Sequence, residues 1–550
     1  MNQTRWHGPV LALVCFIMFW WRLGSLGLID PDEPFYAQTT REMVQANDWI
    51  TPQIFGAPQF EKPIFFYWQA MLAQKFFGDT EFAARFPSAL FATLLVFVTW
   101  IFGRHLLSPN AGFFSALVLG TGIEFALMGR LMLTDISLAF FILVSFAAFW
   151  MALEDEKNRQ RWIFLQLVAS GFASLTKGPI GLLFPLLGCG SFLLLTRTRM
   201  PWRGKGFWLG AVVWFILAVP WYVVMLMKYG REYWDAFFIH ENWERLVVAE
   251  HPSNNHFWYY PMILALGFLP WMPLLVVSLG RGWREFRSNR VTLFLVCWFL
   301  PNLVFLTIVQ SKLPSYIFFL FVPLALLMGR TLESWLRDGF SGKGEYFTAA
   351  GIAIVQAVGL LAAPFIRPEA ARYEWLAMVV AAPLSLTAIC FVWKRLGVAA
   401  IATTVSAAFI VIIALAWVAP DIESKVSTRG IASQIRSLRR PGEPLITAAF
   451  LARAVTYYGG EKPAAVESYG KQPFFTKHPL PFVRGDKGLA AYLKDKPSVF
   501  FVGQLRDYKS LTAEKSILRN RCEQLAVIGE GNDARVVFRV KGEAGPSLAK

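Results

Sequence analysis

The chain has 550 residues, a mean hydropathy of +0.45 and a formal net charge of +16. Hydrophobic residues make up 55% and charged residues only 16%, which excludes an ordinary soluble protein and is typical of a polytopic membrane protein. The positive charge does not indicate nucleic-acid binding, because the basic residues cluster in short loops between apolar runs, where they set membrane topology.

Thirteen apolar runs are candidates to cross a bilayer as helices, which takes about 17–25 residues, although the run 162–176 is short. We interpret the first as a retained span and not a signal peptide, because it is long and no small-residue cleavage site precedes Asp30. The fold class predicted is therefore a polytopic α-helical membrane protein, with a transmembrane domain over residues 1–419. The runs lie near 8–28, 84–103, 111–129, 133–153, 162–176, 179–196, 207–227, 257–279, 291–309, 313–330, 347–366, 374–393 and 398–418.

The loops between these runs alternate in charge. One set is rich in Arg and Lys, whereas the other consists of the long loops 29–83 and 228–256 and of short links with one basic residue each. Basic loops stay in the cytoplasm, so we predict a cytoplasmic N-terminus. An odd number of spans then puts the C-terminal tail on the external face.

This topology brings charged residues from separate connections to the external face. A charge at the edge of a span is costly unless it works in chemistry or binding, so the set predicts a functional surface. The alternative for Lys177 and Lys312 is that each amine only anchors a helix end at the interface. The members are Asp32, Glu33, Glu61, Lys62, Asp135, Lys177, the 228–256 loop and Lys312.

The first external loop and the tail have structure of their own. Apolar and polar residues alternate over 34–46, and 64–77 is rich in aromatic residues, so we predict two helices lying in the membrane interface, with an ordinary amphipathic connector as the alternative. Residues 420–550 are more highly charged and combine short β-rich runs with helical stretches, which predicts a soluble α/β domain. No nucleotide-binding motif or cysteine pairing pattern occurs, so no nucleotide or redox cofactor is expected.

Several short motifs occur in a characteristic order. Together they resemble the polyprenyl-phosphate-sugar-dependent membrane glycosyltransferases, of the GT-C type, in the branch of the lipid A aminoarabinose transferases, which is related to the protein O-mannosyltransferases. The motifs are Pro31-Asp32-Glu33 with Tyr36, Arg41-Glu42-Met43, Asp48-Trp49, Phe60-Glu61-Lys62-Pro63, Tyr67-Trp68, Leu133-Thr134-Asp135, Thr176-Lys177-Gly178, His256-Phe257-Trp258-Tyr259-Tyr260 and Ser311-Lys312-Leu313-Pro314-Ser315-Tyr316.

Sugar transfer of this kind needs a carboxylate to activate the acceptor hydroxyl and cations to neutralise the leaving phosphate. The resemblance implies that Asp32 is the carboxylate beside the acceptor, with Asp135 as a second carboxylate and Glu33 adjacent. It implies inversion by direct displacement, although two carboxylates would also support retention through a covalent intermediate. The residues implied for the donor phosphate are Lys62, Arg245, Tyr316, Lys312, Lys177 and Tyr36.

Structural roles compete with some of these assignments. Asp32 and Asp135 each stand where a helix would begin, so each could be a helix N-cap. Lys62 next to Glu61 could be a weak surface ion pair.

The resemblance also implies a divalent metal (Zn, Mg or Mn) held by a glutamate of the first loop and a histidine of the later one. Glu61 is the matching glutamate, and the later loop offers His240, His251 and His256, of which His256 or His251 is favoured as the nitrogen ligand. Such a site is sparse, so water or the donor phosphate would complete it.

The function predicted is a multi-pass glycosyltransferase of the bacterial inner membrane. It would move a sugar from undecaprenyl phosphate to a periplasmic acceptor, with lipid A favoured by the branch resembled. The alternatives are a protein or polysaccharide O-glycosyltransferase and, more distantly, a transporter or lipid flippase. Transport is less favoured because the charges lie at the ends of spans and not near the bilayer midplane.

Overall fold

The computed structural model of the protein describes residues 3–200, 204–366, 374–467 and 479–542. The chain forms two compact units. The first comprises residues 1–22, 87–230 and 237–414, and the second comprises 23–86, 231–236 and 415–550.

The first unit is built from helices. Within the described residues, six helices are long and apolar enough to cross a membrane, and each matches a predicted span. The total of thirteen spans stays a prediction. The six are Glu81–Leu106, Thr134–Glu154, Lys205–Val247, Arg290–Ile308, Pro314–Asp338 and Leu396–Asp421. Other helices are His7–Cys15, Phe16–Trp20, Pro109–Thr121, Ile123–Met128, Arg159–Lys177, Ile180–Thr196, Tyr259–Gly267, Met272–Glu285, Lys343–Ile366 and Glu374–Val392.

Two of the predicted spans are broken in the structure. The run 111–129 forms two helices because Gly122 between them takes an extended conformation, with φ −65° and ψ 130°. The run 257–279 also forms two helices, separated around Pro270, which has no N–H to continue the helical ladder. The first run, 8–28, is helical only as far as Trp20.

The helix Phe318–Asp338 lies at the centre of the first unit. Almost every side chain in its first three turns is buried, including Phe319, which stacks on Phe184 with ring centroids 4.4 Å apart. Gly329 lets this helix approach Pro109–Thr121 closely, because a Cβ there would lie 2.5 Å from the backbone carbonyl oxygen of Ala111. Close backbone packing at small residues is common between membrane helices.

The second unit combines the first external loop with the tail. The two helices predicted in the loop are present as Asp32–Ala46 and Ile64–Phe77, and a short hairpin of β1 (Gln53–Ile54) and β2 (Ala57–Pro58) lies between them. The predicted domain boundary at 419/420 falls near the change of unit at 414/415, and the structure adds residues 23–86 to the tail.

The tail forms a six-stranded sheet in the order β5-β4-β3-β6-β8-β7. Strands β3 to β6 are parallel to their neighbours, whereas β6, β8 and β7 pair antiparallel. The strands are β3 (Leu445–Ala448), β4 (Ala465–Glu467), β5 (Phe482–Val483), β6 (Ser498–Gln504), β7 (Cys522–Ile528) and β8 (Arg535–Lys541). The helices of the tail are Ala419–Val426, Arg429–Leu438, Ala452–Gly459, Gly485–Tyr492 and Leu505–Leu511.

A buried ion pair joins the first loop to the tail. The Arg535 guanidinium lies 2.9 Å from the Asp30 carboxylate, and Thr428 donates a hydrogen bond of 2.7 Å to the same oxygen. Both charged side chains are almost fully inaccessible. Burial raises the pKa of Asp30 to about 6 even with Arg535 beside it, so the ionised carboxylate depends on its partner.

We expect Arg535→Gln to lower stability by about 3–5 kcal/mol at pH 8, because it leaves a buried carboxylate without its cation. The loss should be smaller at pH 5. Without Arg535 the pKa of Asp30 in the folded protein rises further. At pH 5 the folded variant therefore keeps Asp30 protonated and neutral, whereas the unfolded chain has already released that proton. Thermal unfolding in detergent at both pH values measures the effect.

The matched control is Arg506→Gln. Arg506 forms an exposed pair with Asp533 at 3.5 Å, and such pairs contribute at most about 1 kcal/mol. Equal losses for the two variants, or a loss for Arg535→Gln that is larger at pH 5, would contradict the assignment.

Candidate active site

An ion pair between Asp135 and Lys177 lies at the ends of two packed helices in the first unit. Asp135 is in the first turn of Thr134–Glu154, and Lys177 is the last residue of Arg159–Lys177. Leu133 occupies the N-cap position, so Asp135 is not the cap. Both side chains are largely buried, and each charge also suits the dipole of its own helix end.

Tyr316 and Arg245 extend this pair into a cluster. The Lys177 Nζ lies 4.2 Å from the centroid of the Tyr316 ring, and Arg245 Nη1 donates a hydrogen bond of 3.1 Å to the Tyr316 hydroxyl. Arg245 also forms ion pairs with Glu241 at 2.9 Å and Glu250 at 3.1 Å. The structure thus brings together four of the residues predicted from the sequence. It also places the carboxylates of Glu241 and Glu250 there, which were not predicted.

Backbone contacts fix Arg245 beside the connection that precedes the central helix. The Ser311 N–H donates to the Arg245 carbonyl oxygen at 3.1 Å, and the Gln310 N–H donates to that of Leu246 at 3.1 Å. Lys312 is buried, and its Nζ donates to Asn255 Oδ1 and to the Val309 carbonyl oxygen, both at 2.6 Å. Burial also lowers the pKa of Lys312. These contacts favour a role for Lys312 in holding this connection over direct binding of phosphate.

Asp32 in the second unit is exposed in the first turn of the helix Asp32–Ala46. The N-cap position belongs to Pro31, so the alternative role of Asp32 as a cap does not hold. A carboxylate in the first turn is favoured by the helix dipole. Asp32 therefore lies on an ordered element while its carboxylate stays accessible.

Glu33, the next residue, has a different environment. It is 2% exposed, and its two carboxylate oxygens accept hydrogen bonds from Arg85 at 2.9 and 2.6 Å. The Ile29 N–H donates to it as well, at 2.8 Å. Arg85 further donates to the carbonyl oxygens of Leu23, Leu26 and Gly27. This geometry favours a positioning role for Glu33 over proton transfer.

The remaining predicted residues of the second unit lie around an aromatic cluster. Tyr36 is buried between the rings of Phe66 and Tyr67, with centroids 5.2 and 6.1 Å away. Lys62 is half-buried and its Nζ donates to the Glu61 carbonyl oxygen at 3.1 Å.

Arg453, from the tail helix Ala452–Gly459, lies 3.7 Å from the Glu61 carboxylate and 4.4 Å over the Phe35 ring. No local pattern in the sequence points to Arg453, because it is almost 400 residues away from Glu61 along the chain.

The environments of the residues predicted to hold a metal give no support for such a site. Glu61 already has the Arg453 guanidinium beside it. His251 and His256 are exposed, and His256 stacks on Trp258 with centroids 4.9 Å apart. Among the residues that the structure describes, no group of three His, Cys, Asp or Glu side chains comes together. The metal therefore stays a prediction, and we derive no step through it.

Comparisons with known sequences identify a matching family and several relatives that share one name. A family described as dolichyl-phosphate-mannose-protein mannosyltransferase matches residues 9–231. Undecaprenyl phosphate-alpha-4-amino-4-deoxy-L-arabinose arabinosyl transferase 1 of Pseudomonas fluorescens is 32% identical over 377 residues, which is 67% of this chain and 65% of the relative. The transferase of the same name from Yersinia enterocolitica is 33% identical over 58% of each chain. The chain thus spans less than two thirds of the length of these relatives.

Solved structures give the same fold. ArnT from Cupriavidus metallidurans in the apo state has a TM-score of 0.77 at 25% identity over 100% of both chains. The same protein bound to undecaprenyl phosphate has a TM-score of 0.76 at 24% identity over 98% of both. An Archaeoglobus fulgidus oligosaccharyltransferase shares the fold alone, with a TM-score of 0.51 at 11% identity over 96% of this chain and 74% of that chain.

The fold is that of a polytopic membrane protein of the GT-C type. The chain belongs to the superfamily of membrane glycosyltransferases that use polyprenyl-phosphate sugars, as its motifs indicated.

We expect neutralisation to lower stability strongly at Glu33 and hardly at all at the adjacent Asp32. Glu33→Gln leaves the buried Arg85 without its counter-charge, which should cost about 3–5 kcal/mol of stability. Asp32→Asn changes an exposed group and should leave the melting temperature nearly unchanged. Thermal unfolding of the two variants side by side is the measurement, and similar losses in both would refute the distinction.

Proposed function

We propose that this protein transfers a sugar from undecaprenyl phosphate to lipid A, by direct displacement with inversion at the anomeric carbon. The observation that carries the proposal is the cluster of Asp135, Lys177, Tyr316 and Arg245, which combines two cations with a phenol at the ends of membrane helices. The names of the relatives support the donor and point to aminoarabinose as the sugar.

The cluster in the first unit suits the leaving group. As the bond from the anomeric carbon to the phosphate oxygen breaks, the bonding electron pair stays on the phosphate. Arg245 and Lys177 would stabilise that charge, and the Tyr316 hydroxyl can donate a hydrogen bond to it. Asp135 holds the Lys177 ammonium in place.

Asp32 is the residue that we assign to the acceptor. The acceptor hydroxyl would give its proton to the Asp32 carboxylate while its oxygen attacks the anomeric carbon. Undecaprenyl phosphate then leaves, and no covalent intermediate with the protein forms. Because Glu33 is fully engaged by Arg85, it would hold the segment that carries Asp32.

The same proposal includes a topology for the inner membrane. Thirteen spans, a cytoplasmic N-terminus and a periplasmic tail domain follow from the alternation of basic loops. The helices Asp32–Ala46 and Ile64–Phe77 would then lie in the periplasmic interface.

A protein acceptor is the second candidate. The specific observation in its favour is the match of residues 9–231 to a family of protein mannosyltransferases. The donor chemistry is the same in both cases, so an assay with both acceptors separates them.

We expect Asp32→Asn to lower the rate of transfer by at least about 100-fold, because general base catalysis contributes about that much. The purified protein in detergent is incubated with undecaprenyl-phosphate aminoarabinose and either lipid A or a protein acceptor, and mass spectrometry detects the product. A sugar-sized mass gain on lipid A that the variant lacks supports the proposal. Full transfer by Asp32→Asn would reject the role of Asp32, and a gain on the protein alone would favour the second candidate.

Lys62→Ala should raise the KM for the donor by about tenfold or more, because one charge-assisted contact to phosphate is lost. Lys75→Ala is the matched control, since Lys75 lies in the same loop with its amine 4.5 Å over the Trp49 ring. Initial rates against donor concentration give KM and kcat separately. An unchanged KM for Lys62→Ala would remove Lys62 from the donor site.

A further inference from the structure

A polar cavity of about 410 Å³ lies in the first unit, away from the cluster around Asp135. Three guanidinium groups, two carboxylates and several hydroxyls line it. The residues that matter here are Arg281, Arg330, Arg337, Glu285, Glu333 and Thr292.

The cavity is at the opposite end of the central helix from the candidate active site. The helix Phe318–Asp338 begins two residues after Tyr316 and ends at the cavity with Arg337. At 1.5 Å per residue the two ends are roughly 30 Å apart. The helix Arg290–Ile308 runs the other way, with its first turn at the cavity. The cavity is thus a separate site, at the Arg-rich ends of the helices.

Arg281 is held by a bidentate pair with Glu345, whereas the other charges of the lining keep binding capacity. Arg330 contacts Thr292 at 2.7 Å and Glu285 at 2.9 Å, although a guanidinium has five N–H donors. The pair with Glu285 is half-exposed, and such pairs are weak enough to rearrange around a ligand. Arg337 is exposed and forms an ion pair with its neighbour Asp338, and one Glu333 oxygen accepts a hydrogen bond of 2.6 Å from Ser108.

The mixture of charges selects the ligand. A simple anion would meet two carboxylates, and a simple cation would meet three guanidinium groups. A group with both a phosphate and a primary ammonium satisfies both sets, with the phosphate at Arg330 and Arg337 and the ammonium at Glu285 and Glu333. We propose that this cavity binds the phosphoethanolamine headgroup of a membrane phospholipid.

The surroundings favour a lipid over a soluble molecule of the same chemistry. The helix Met272–Glu285 lines the cavity and presents Trp283, which is 70% exposed, with Leu279 exposed one turn earlier. Exposed tryptophan is typical of the headgroup level of a bilayer. Basic pockets between helices at the cytoplasmic side are also common sites for lipid headgroups.

Retention of lipid by the full-length protein tests the proposal independently of transfer activity. The protein is placed in nanodiscs of phosphatidylcholine with equal minor amounts of phosphatidylethanolamine and phosphatidylglycerol, and native mass spectrometry identifies the lipids that stay bound. We expect phosphatidylethanolamine to be enriched about fivefold or more over both others, as one or two charge-assisted hydrogen bonds would produce. Arg337→Gln and Glu333→Gln should each abolish the enrichment.

Arg284→Gln is the matched control, because Arg284 is exposed on the same helix but does not line the cavity. Gly282→Val gives a test without a charge change, since a Cβ at Gly282 would meet only Leu327 of the cavity wall, at 3.6 Å, and we expect it to reduce retention. Equal retention of phosphatidylethanolamine and phosphatidylcholine overturns the proposal. So does equal retention of phosphatidylglycerol, or stabilisation by soluble phosphoethanolamine with no lipid retained.

Discussion

The segment that carries Asp32 is held by one guanidinium. Arg85 donates five hydrogen bonds, three to backbone carbonyl oxygens between Leu23 and Gly27 and two to the Glu33 carboxylate. Five is the full donor capacity of arginine. Because a buried charge is tolerated only when it is paired, this arrangement fixes both the end of the first span and the first turn of the next helix. The position of Asp32 depends on this local geometry.

The tail adds a second restraint on the same segment. Arg535 on β8 reaches Asp30, which is 505 positions away along the chain, and the Tyr458 hydroxyl oxygen accepts a hydrogen bond of 2.7 Å from the Leu28 N–H. The parallel strands β3 and β6 end next to this region, and in open α/β sheets the carboxyl ends of such strands are where ligands usually bind. In this protein, residues of the sheet domain hold the first external loop in that region. Holding this loop is thus a role of the domain that needs no ligand.

Sequence reasoning succeeded where information is local. The alternation of apolar and polar residues over 34–46 and the aromatic residues of 64–77 predicted the two loop helices, and charges at the ends of spans singled out Asp135 and Lys177, which the structure pairs. It failed where a partner lies far along the chain, because nothing in the sequence around Arg535 names Asp30 as its partner. Arg85 gave a usable signal, since an arginine inside an apolar run must find a counter-charge. Spatial pairing of that arginine with Glu33 still required the structure.

The carboxylates in the cluster around Arg245 outnumber its two cations, Arg245 and Lys177. Its guanidinium is shared by Glu241, which is 4% exposed, and Glu250, which is 31% exposed. An anion that displaced Glu241 would separate a buried carboxylate from its cation, at a cost of several kcal/mol. Displacing Glu250 costs far less, because water can solvate it. An anion that binds Arg245 would therefore exchange with Glu250, while Glu241 stays in place on the other side of the guanidinium.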